Sequence, residues 1–260
     1  MILLHLVASA LYAAAAWALW PGAGASERLK RALPPAAIAV HAIAAGAGIA
    51  TPQGLDLSLP HALSLVALLS VLVAWLTGAL STLPGVGAVV LPVAALAALV
   101  PALVVSPHRF PYSGETLATA HIAVALFAYA FFIVAAAQAL VMTGLESRLH
   151  RGLPAGAATP PLLTLERTLF RLIGIGFALL SLALASGVLF SEQVFGRAFQ
   201  FTHKNVFAVA SWLVFGALVV GRWRYGWRGR QALRWILSGT ALLILAYLGS
   251  KFVLEVVLGR

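Results

Sequence analysis

Residues 116–145 read "TLATAHIAVALFAYAFFIVAAAQALVMTGL", and this stretch decides the fold class. It holds no Asp, Glu, Lys or Arg and exceeds the roughly 20 apolar residues that carry a helix across the hydrocarbon of a bilayer. Comparable stretches recur on both sides of it, at about 2–20, 34–50, 61–81, 86–105, 168–190, 203–221 and 233–256. The second of these is short and poor in Leu and Ile. Over the whole chain 62% of residues are hydrophobic and 9% charged, whereas soluble domains average about 25% charged. The expectation is an all-α polytopic membrane bundle of about eight transmembrane helices, forming one integral membrane domain over residues 1–260.

Turn chemistry separates the apolar segments, as in "PGAGASERLKRALPP", "TPQGLDLSLP" and "SPHRFPYSGE". The first segment has no basic residue in front of its apolar core, unlike a cleaved secretory signal, so it reads as a retained helix. Lys and Arg fix the orientation. With the N-terminus outside, the cytoplasmic loops and their flanks hold Arg28, Lys30, Arg31, Arg148, Arg151, Arg167, Arg171, Arg222, Arg224, Arg228, Arg230 and Arg234. The outer side holds Arg109, Arg197, Lys204, Lys251 and Arg260. Twelve against five places both termini outside a bacterial inner (plasma) membrane crossed many times. The formal charge of +10 therefore reports orientation, and nucleic acid is not an expected partner.

Cysteine is absent, which excludes disulfides, thiolate metal sites and covalent catalysis through sulfur. The seven acids are scattered. They form no zinc-binding group and no ladder across the bilayer, and no broken-helix pair suggests a transporter. No Ser-His-Asp set or phosphate loop is evident. "GRWRYGWRGRQALRW", at 221–235, reads as an interfacial belt for anionic headgroups.

Ionisable groups within spans are costly and mark candidate functional positions. Of the seven histidines, His108 and His150 fall in loops, and His5 and His61 near outer helix ends. His121 lies about 8 Å below Thr116 along its helix, and His203 opens the seventh span at the same face. A pair of imidazoles at one depth suits axial ligation of a haem iron, one on each side of a flat macrocycle; each ring can equally serve as a hydrogen-bonded contact to a neighbouring helix. Small and aromatic residues (Ala125, Ala128, Tyr129 and Phe132 below His121; Phe207, Ala210 and Ser211 below His203) offer space and flat surfaces. His41 lies on the cytoplasmic side of that depth, about 10 Å in from Pro34.

Near the outer end of the seventh span stands "FGRAFQFTHKN", residues 195–205, followed by "ASWLVFGALVVGRWRYGWRGRQA". This frame resembles the CcsA/CcmC-type cytochrome c assembly family, whose outer motif W-G-x-x-W-x-W-D-P-K-E precedes a span and then a cytoplasmic G-W-R-G-R-R. Phe195, Phe199 and Phe201 stand where the family has tryptophans, and Gly196 and Lys204 are kept. Thr202, His203 and Asn205 replace the motif's Asp, Pro and Glu. "LASGVLFSEQVFG" resembles the approach to the motif, and "AHIAVALFAYAFF" resembles an H-V-x-x-x-x-x-x-Y segment. Eight spans and the His41 segment look most like the YpjD and HemX branch.

The resemblance implies an aromatic platform, here Phe195, Phe199 and Phe201, that holds haem at the outer surface with His121 as an iron ligand. The family's second outer histidine does not occur in the terminal "EVVLGR", and His203 is the residue placed to supply that ligand. The implied function is a membrane protein that binds haem b and handles or stabilises it for cytochrome c assembly. It would be a binding or transfer protein and not a catalyst, with Lys204 pairing a propionate and His41 marking a second, inner station or a packing contact. Haem, the lipid bilayer and other membrane proteins of cytochrome assembly are the implied partners. The alternative is a haem-free scaffold or regulatory subunit that retains the family fold.

Overall fold

The structure is a computed structural model that describes residues 2–20, 22–51, 54–82, 84–104, 109–110, 116–152, 161–189 and 203–253. Its helices are α1 (Ile2–Ala18), α2 (Glu27–Ile49), α3 (Leu59–Leu76), the single turn α4 (Ala79–Thr82), α5 (Pro84–Leu103), α6 (Thr116–His150), α7 (Leu162–Leu189), α8 (His203–Tyr225) and α9 (Gly229–Ile244). A π-helical turn at Leu245–Gly249 continues α9 into a last short helix, Ser250–Phe252. Seven of these helical stretches are long and apolar enough to cross a membrane, and α1 is an apolar helix of 17 residues, near the lower limit for a span. The chain is a polytopic helical bundle.

Several helices outrun their apolar segments on the basic face. α2 starts at Glu27, where the Ser26 side chain accepts a hydrogen bond from the Leu29 amide and Glu27 pairs with Lys30 at 2.8 Å. That cap fixes the first turn ahead of Pro34 and Pro35, which sit inside the helix. α6 runs 35 residues, about 52 Å at 1.5 Å per residue, against a hydrocarbon core of about 30 Å. Apolarity marks where lipid ends, and a charged helix can continue into the headgroup layer.

The helices pack as two rings of four. In the first, α1 contacts α2 and α5, and α3 contacts both of those. In the second, α6 packs on α7, α7 on α8, α8 on α9 and α9 on α6; α3 and α5 join the rings through α6. A small antiparallel sheet ties two loops of the first ring: β1 (Ala50–Thr51) pairs with β2 (Gly54–Asp56), and β2 with β3 (Arg109–Phe110).

Lipid tails are as apolar as leucine, so close packing and interhelical hydrogen bonds hold such rings together. In the first ring, the buried His41 lies 3.2 Å from the Tyr12 hydroxyl through Nδ1 and 2.7 Å from the Ser64 hydroxyl through Nε2. It thus joins α1, α2 and α3. His5 Nδ1–H donates to the Ala98 carbonyl of α5 at 2.8 Å.

In the second ring, Phe132 of α6 and Phe215 of α8 stack across the diagonal with centroids 3.6 Å apart, both fully buried. Glycine makes room for them. A Cβ on Gly239 of α9 would stand 2.8 Å from the Phe215 ring, and one on Gly176 of α7 would stand 3.1 Å from Phe132. Ser211 of α8 donates to the Gly239 carbonyl at 2.8 Å beside the stack.

Gly239→Val should force Phe215 out of the stack and cost about 2 kcal/mol. Gly46→Ala, at a helical glycine with nothing near the missing Cβ, should be neutral or slightly stabilising. Thermal unfolding in nanodiscs reads both; equal melting temperatures for Gly239→Val and wild type would remove the stack from its structural role.

Candidate functional site

The outer end of the second ring gathers polar groups in an otherwise apolar bundle. His121, in the second turn of α6, reaches α7, where its Nδ1 lies 2.8 Å from the Ser186 hydroxyl. That hydroxyl donates its own proton to the Ala183 carbonyl at 3.0 Å. With the hydroxyl so oriented it accepts from His121, which is the geometry of the Nδ1–H tautomer. The ring lies against Gly187: a Cβ there would come 3.2 Å from Cε1 and 4.0 Å from Nε2. "ASG" at 185–187 thus supplies an acceptor and the clearance for a flat ring.

α8 brings a cation to the same end. The Lys204 charge acts on the His121 imidazole, and its ammonium lies 5.7 Å over the ring of Tyr247, in the π-helical turn after α9. Tyr247 meets Tyr129 of α6 edge-on at 5.9 Å, and the Tyr129 hydroxyl donates to the Leu243 carbonyl at 2.6 Å. A π turn shifts the backbone hydrogen-bond register, and this hydroxyl offers a donor to a carbonyl at its entrance. Below these groups, Trp212 stacks on Phe177 with centroids 5.8 Å apart, and its indole N–H donates to Ser181 at 2.8 Å, closing α7 against α8.

The sequence-derived site residues separate on this geometry. His121, His203 and Lys204 come to one end of the second ring, with His203 exposed as the first residue of α8. His41 is in the other ring, with both ring nitrogens at hydroxyl partners. Phe195, Phe199 and Phe201 lie outside the described residues, as does the neighbouring Arg197. Ser186, Gly187, Tyr129 and Tyr247 were not named as polar partners, although Tyr129 falls on the tyrosine of the "AHIAVALFAYAFF" segment and Ser186 and Gly187 fall within "LASGVLFSEQVFG".

The opposite, arginine-rich end is built around an ion pair. Arg222 of α8 donates to Glu166 of α7 at 2.7 Å and to the Trp227 carbonyl at 3.3 Å, and its guanidinium lies 4.5 Å over the Phe170 ring. Trp227 folds back onto Gly221, where any Cβ would strike the indole, and stacks on Trp235 at 5.1 Å. "GRWRYGWRGRQALRW" therefore divides: Gly221, Arg222, Trp227 and Trp235 fasten the turn between α8 and α9, while Trp223 and Tyr225 are exposed and suit the belt expected from sequence.

Residues 55–258, from the end of the first small hairpin to beyond α9, match the family described as cytochrome C assembly protein. The chain belongs to the cytochrome c assembly family. The matched region contains His121, His203 and Lys204, and it excludes α1, α2 and His41. The chain is 33% identical over 138 residues to the inner membrane protein YpjD of Escherichia coli strain K12, covering 53% of this chain and 52% of that one. A 28.8 kDa protein of Azospirillum brasilense is 38% identical over 141 residues, 54% and 52% of the two chains. The cytochrome c biogenesis protein CcsA of Synechocystis is 34% identical over 100 residues, 37% and 30% of the two chains. The chain spans about half the length of the curated relatives YpjD and the Azospirillum protein, and no solved structure matches it. With seven membrane-length apolar helices among the described residues, it is a multi-pass protein of the bacterial inner membrane.

The tautomer of His121 is directly measurable. With 15N-labelled histidine, NMR of this cytochrome c assembly family member should show His121 protonated at Nδ1; Ser186→Ala should yield a tautomer mixture without unfolding the protein. An Nε2–H tautomer in the wild type would overturn the hydrogen-bond assignment.

Proposed function

We propose that the protein binds haem b at the outer end of the second ring, with His121 Nε2 as an iron ligand, and handles or stabilises it for cytochrome c assembly. The observation that carries this reading is the hydrogen bond from His121 Nδ1–H to the Ser186 hydroxyl, because a proton held on Nδ1 puts the ring's lone pair on Nε2. Metal-bound histidines characteristically donate their other nitrogen in this way, which fixes the ring and raises its basicity. Family membership and the similarity to a cytochrome c biogenesis protein support the same reading.

A bound haem would supply an iron that accepts imidazole nitrogens as ligands. His203, at the start of α8, would be the second iron-holding residue, and Lys204 would pair with a propionate. Phe195, Phe199 and Phe201 are assigned the platform for the macrocycle faces, on the family motif alone. Phenylalanine keeps the flat apolar surface of tryptophan and lacks its indole N–H. His41 is assigned to packing, since Tyr12 and Ser64 engage both of its nitrogens. Other membrane proteins of cytochrome assembly are the proposed recipients or donors.

Purified protein from haem-replete cells should show a Soret band. His121→Ala and His203→Ala should each lower haem content at least about tenfold, and Ser186→Ala should weaken affinity about tenfold. Haem content indifferent to both histidine substitutions would end the proposal. Colourless wild-type protein that co-purifies with another membrane protein would favour the haem-free scaffold.

A further inference from the structure

At the arginine-rich end of the second ring, α6, α7 and the start of α9 enclose a cavity of about 280 Å³. One water occupies about 30 Å³ of liquid volume, so this space exceeds what a bridging water needs by roughly ninefold. Its inner wall is apolar, with Met142, Leu169 and Ala232 among the lining residues, and its polar lining includes Glu146, Glu166 and Arg228. Glu146, Leu163 and Arg228 lie just beyond the apolar segments of their helices, and Met142 and Leu169 lie within them. The cavity thus borders both the headgroup layer and the acyl chains.

The charges within it are unevenly matched. Glu166 is satisfied by Arg222 at 2.7 Å, which leaves Arg228 at 4.0 Å and largely exposed. The half-buried Glu146 side chain has no ion pair or hydrogen bond among the described residues; only its backbone carbonyl is engaged, by His150 at 2.9 Å. Its carboxylate lies 3.7 Å from where a Cβ on Gly229 would stand, at the N-terminus of α9, where the helix dipole favours a negative charge. Among the described residues, the cavity therefore holds one carboxylate without a cationic partner and one weakly engaged guanidinium at a membrane interface.

We propose that this cavity is a headgroup site for a phospholipid that carries a primary ammonium beside its phosphate, the chemistry of phosphatidylethanolamine. The ammonium donates to Glu146, Arg228 holds the phosphate, and the acyl chains continue toward the hydrocarbon past the apolar wall. The site is separate from the proposed haem end and does not depend on it. A purely anionic headgroup satisfies Arg228 and leaves Glu146 unmatched. A trimethylammonium headgroup brings the charge without an N–H to donate.

Native mass spectrometry of the full chain, exchanged into equal mixtures of phosphatidylethanolamine, phosphatidylglycerol and phosphatidylcholine, tests this. The wild type should retain the ethanolamine lipid about fivefold over either competitor. Glu146→Gln should abolish that preference, and Arg228→Ala should lower retention of all three lipids. Arg224→Ala, outside the cavity lining, should leave the preference intact. The lipid comparison in the wild type stands even if a variant misfolds. Equal retention of the three lipids, or a preference for the ethanolamine lipid unchanged in folded Glu146→Gln, overturns the proposal.

Discussion

Phe132 and Phe215 lie near the middle of α6 and α8 and stack face to face across the diagonal of the second ring. Helices surrounded by lipid gain nothing from hiding apolar surface from one another, so dispersion and close fit must hold them together. Two large rings in contact satisfy that demand only if the flanking helices give way. They do so at Gly239, where even a methyl group would collide with the stack, and at Gly176, where one would crowd it. The contact fills the ring at mid-depth and leaves a polar end on either side of it.

Each end uses a different physical device. At the outer end, a short hydrogen-bond chain from the Ala183 carbonyl through Ser186 to His121 fixes which imidazole nitrogen holds the proton. Lys204, Tyr247 and Tyr129 crowd the same region from α8, α9 and α6. At the arginine-rich end the hydrogen bonds are charge-assisted: Arg222 fastens α7 to α8 through Glu166 and holds the Trp227 carbonyl in the turn into α9. That end lies at the headgroup layer, where charged groups cost less than in hydrocarbon. A fixed imidazole within the bundle and a charged cavity at its edge follow from the different polarity at these two depths.

The histidines show how far a sequence carries such a reading. His121 and His203 were paired because both stand near the outer end of a span, and the structure does bring α6 and the start of α8 to one end of one ring. Depth along a helix, however, says nothing of rotation about it. Ser186 and Gly187 became visible as partners of His121 only when α7 was packed against α6. His41 shows the converse: its burial was foreseeable from the cost of a polar group in lipid, and its Tyr12 and Ser64 partners came from two other helices.

The sequence by itself determined that the chain is a bundle of apolar helices, roughly where each helix crosses the bilayer, and which face carries the arginines. Hydrocarbon tolerates only internally hydrogen-bonded backbone and repels charge, so composition alone imposes those features. The tertiary structure decided how the helices divide into two rings, which His121 nitrogen keeps a lone pair, and which carboxylates are matched by cations. Those depend on contacts between residues dozens of positions apart, set by the shapes of interlocking side chains, and no local pattern in the chain encodes them.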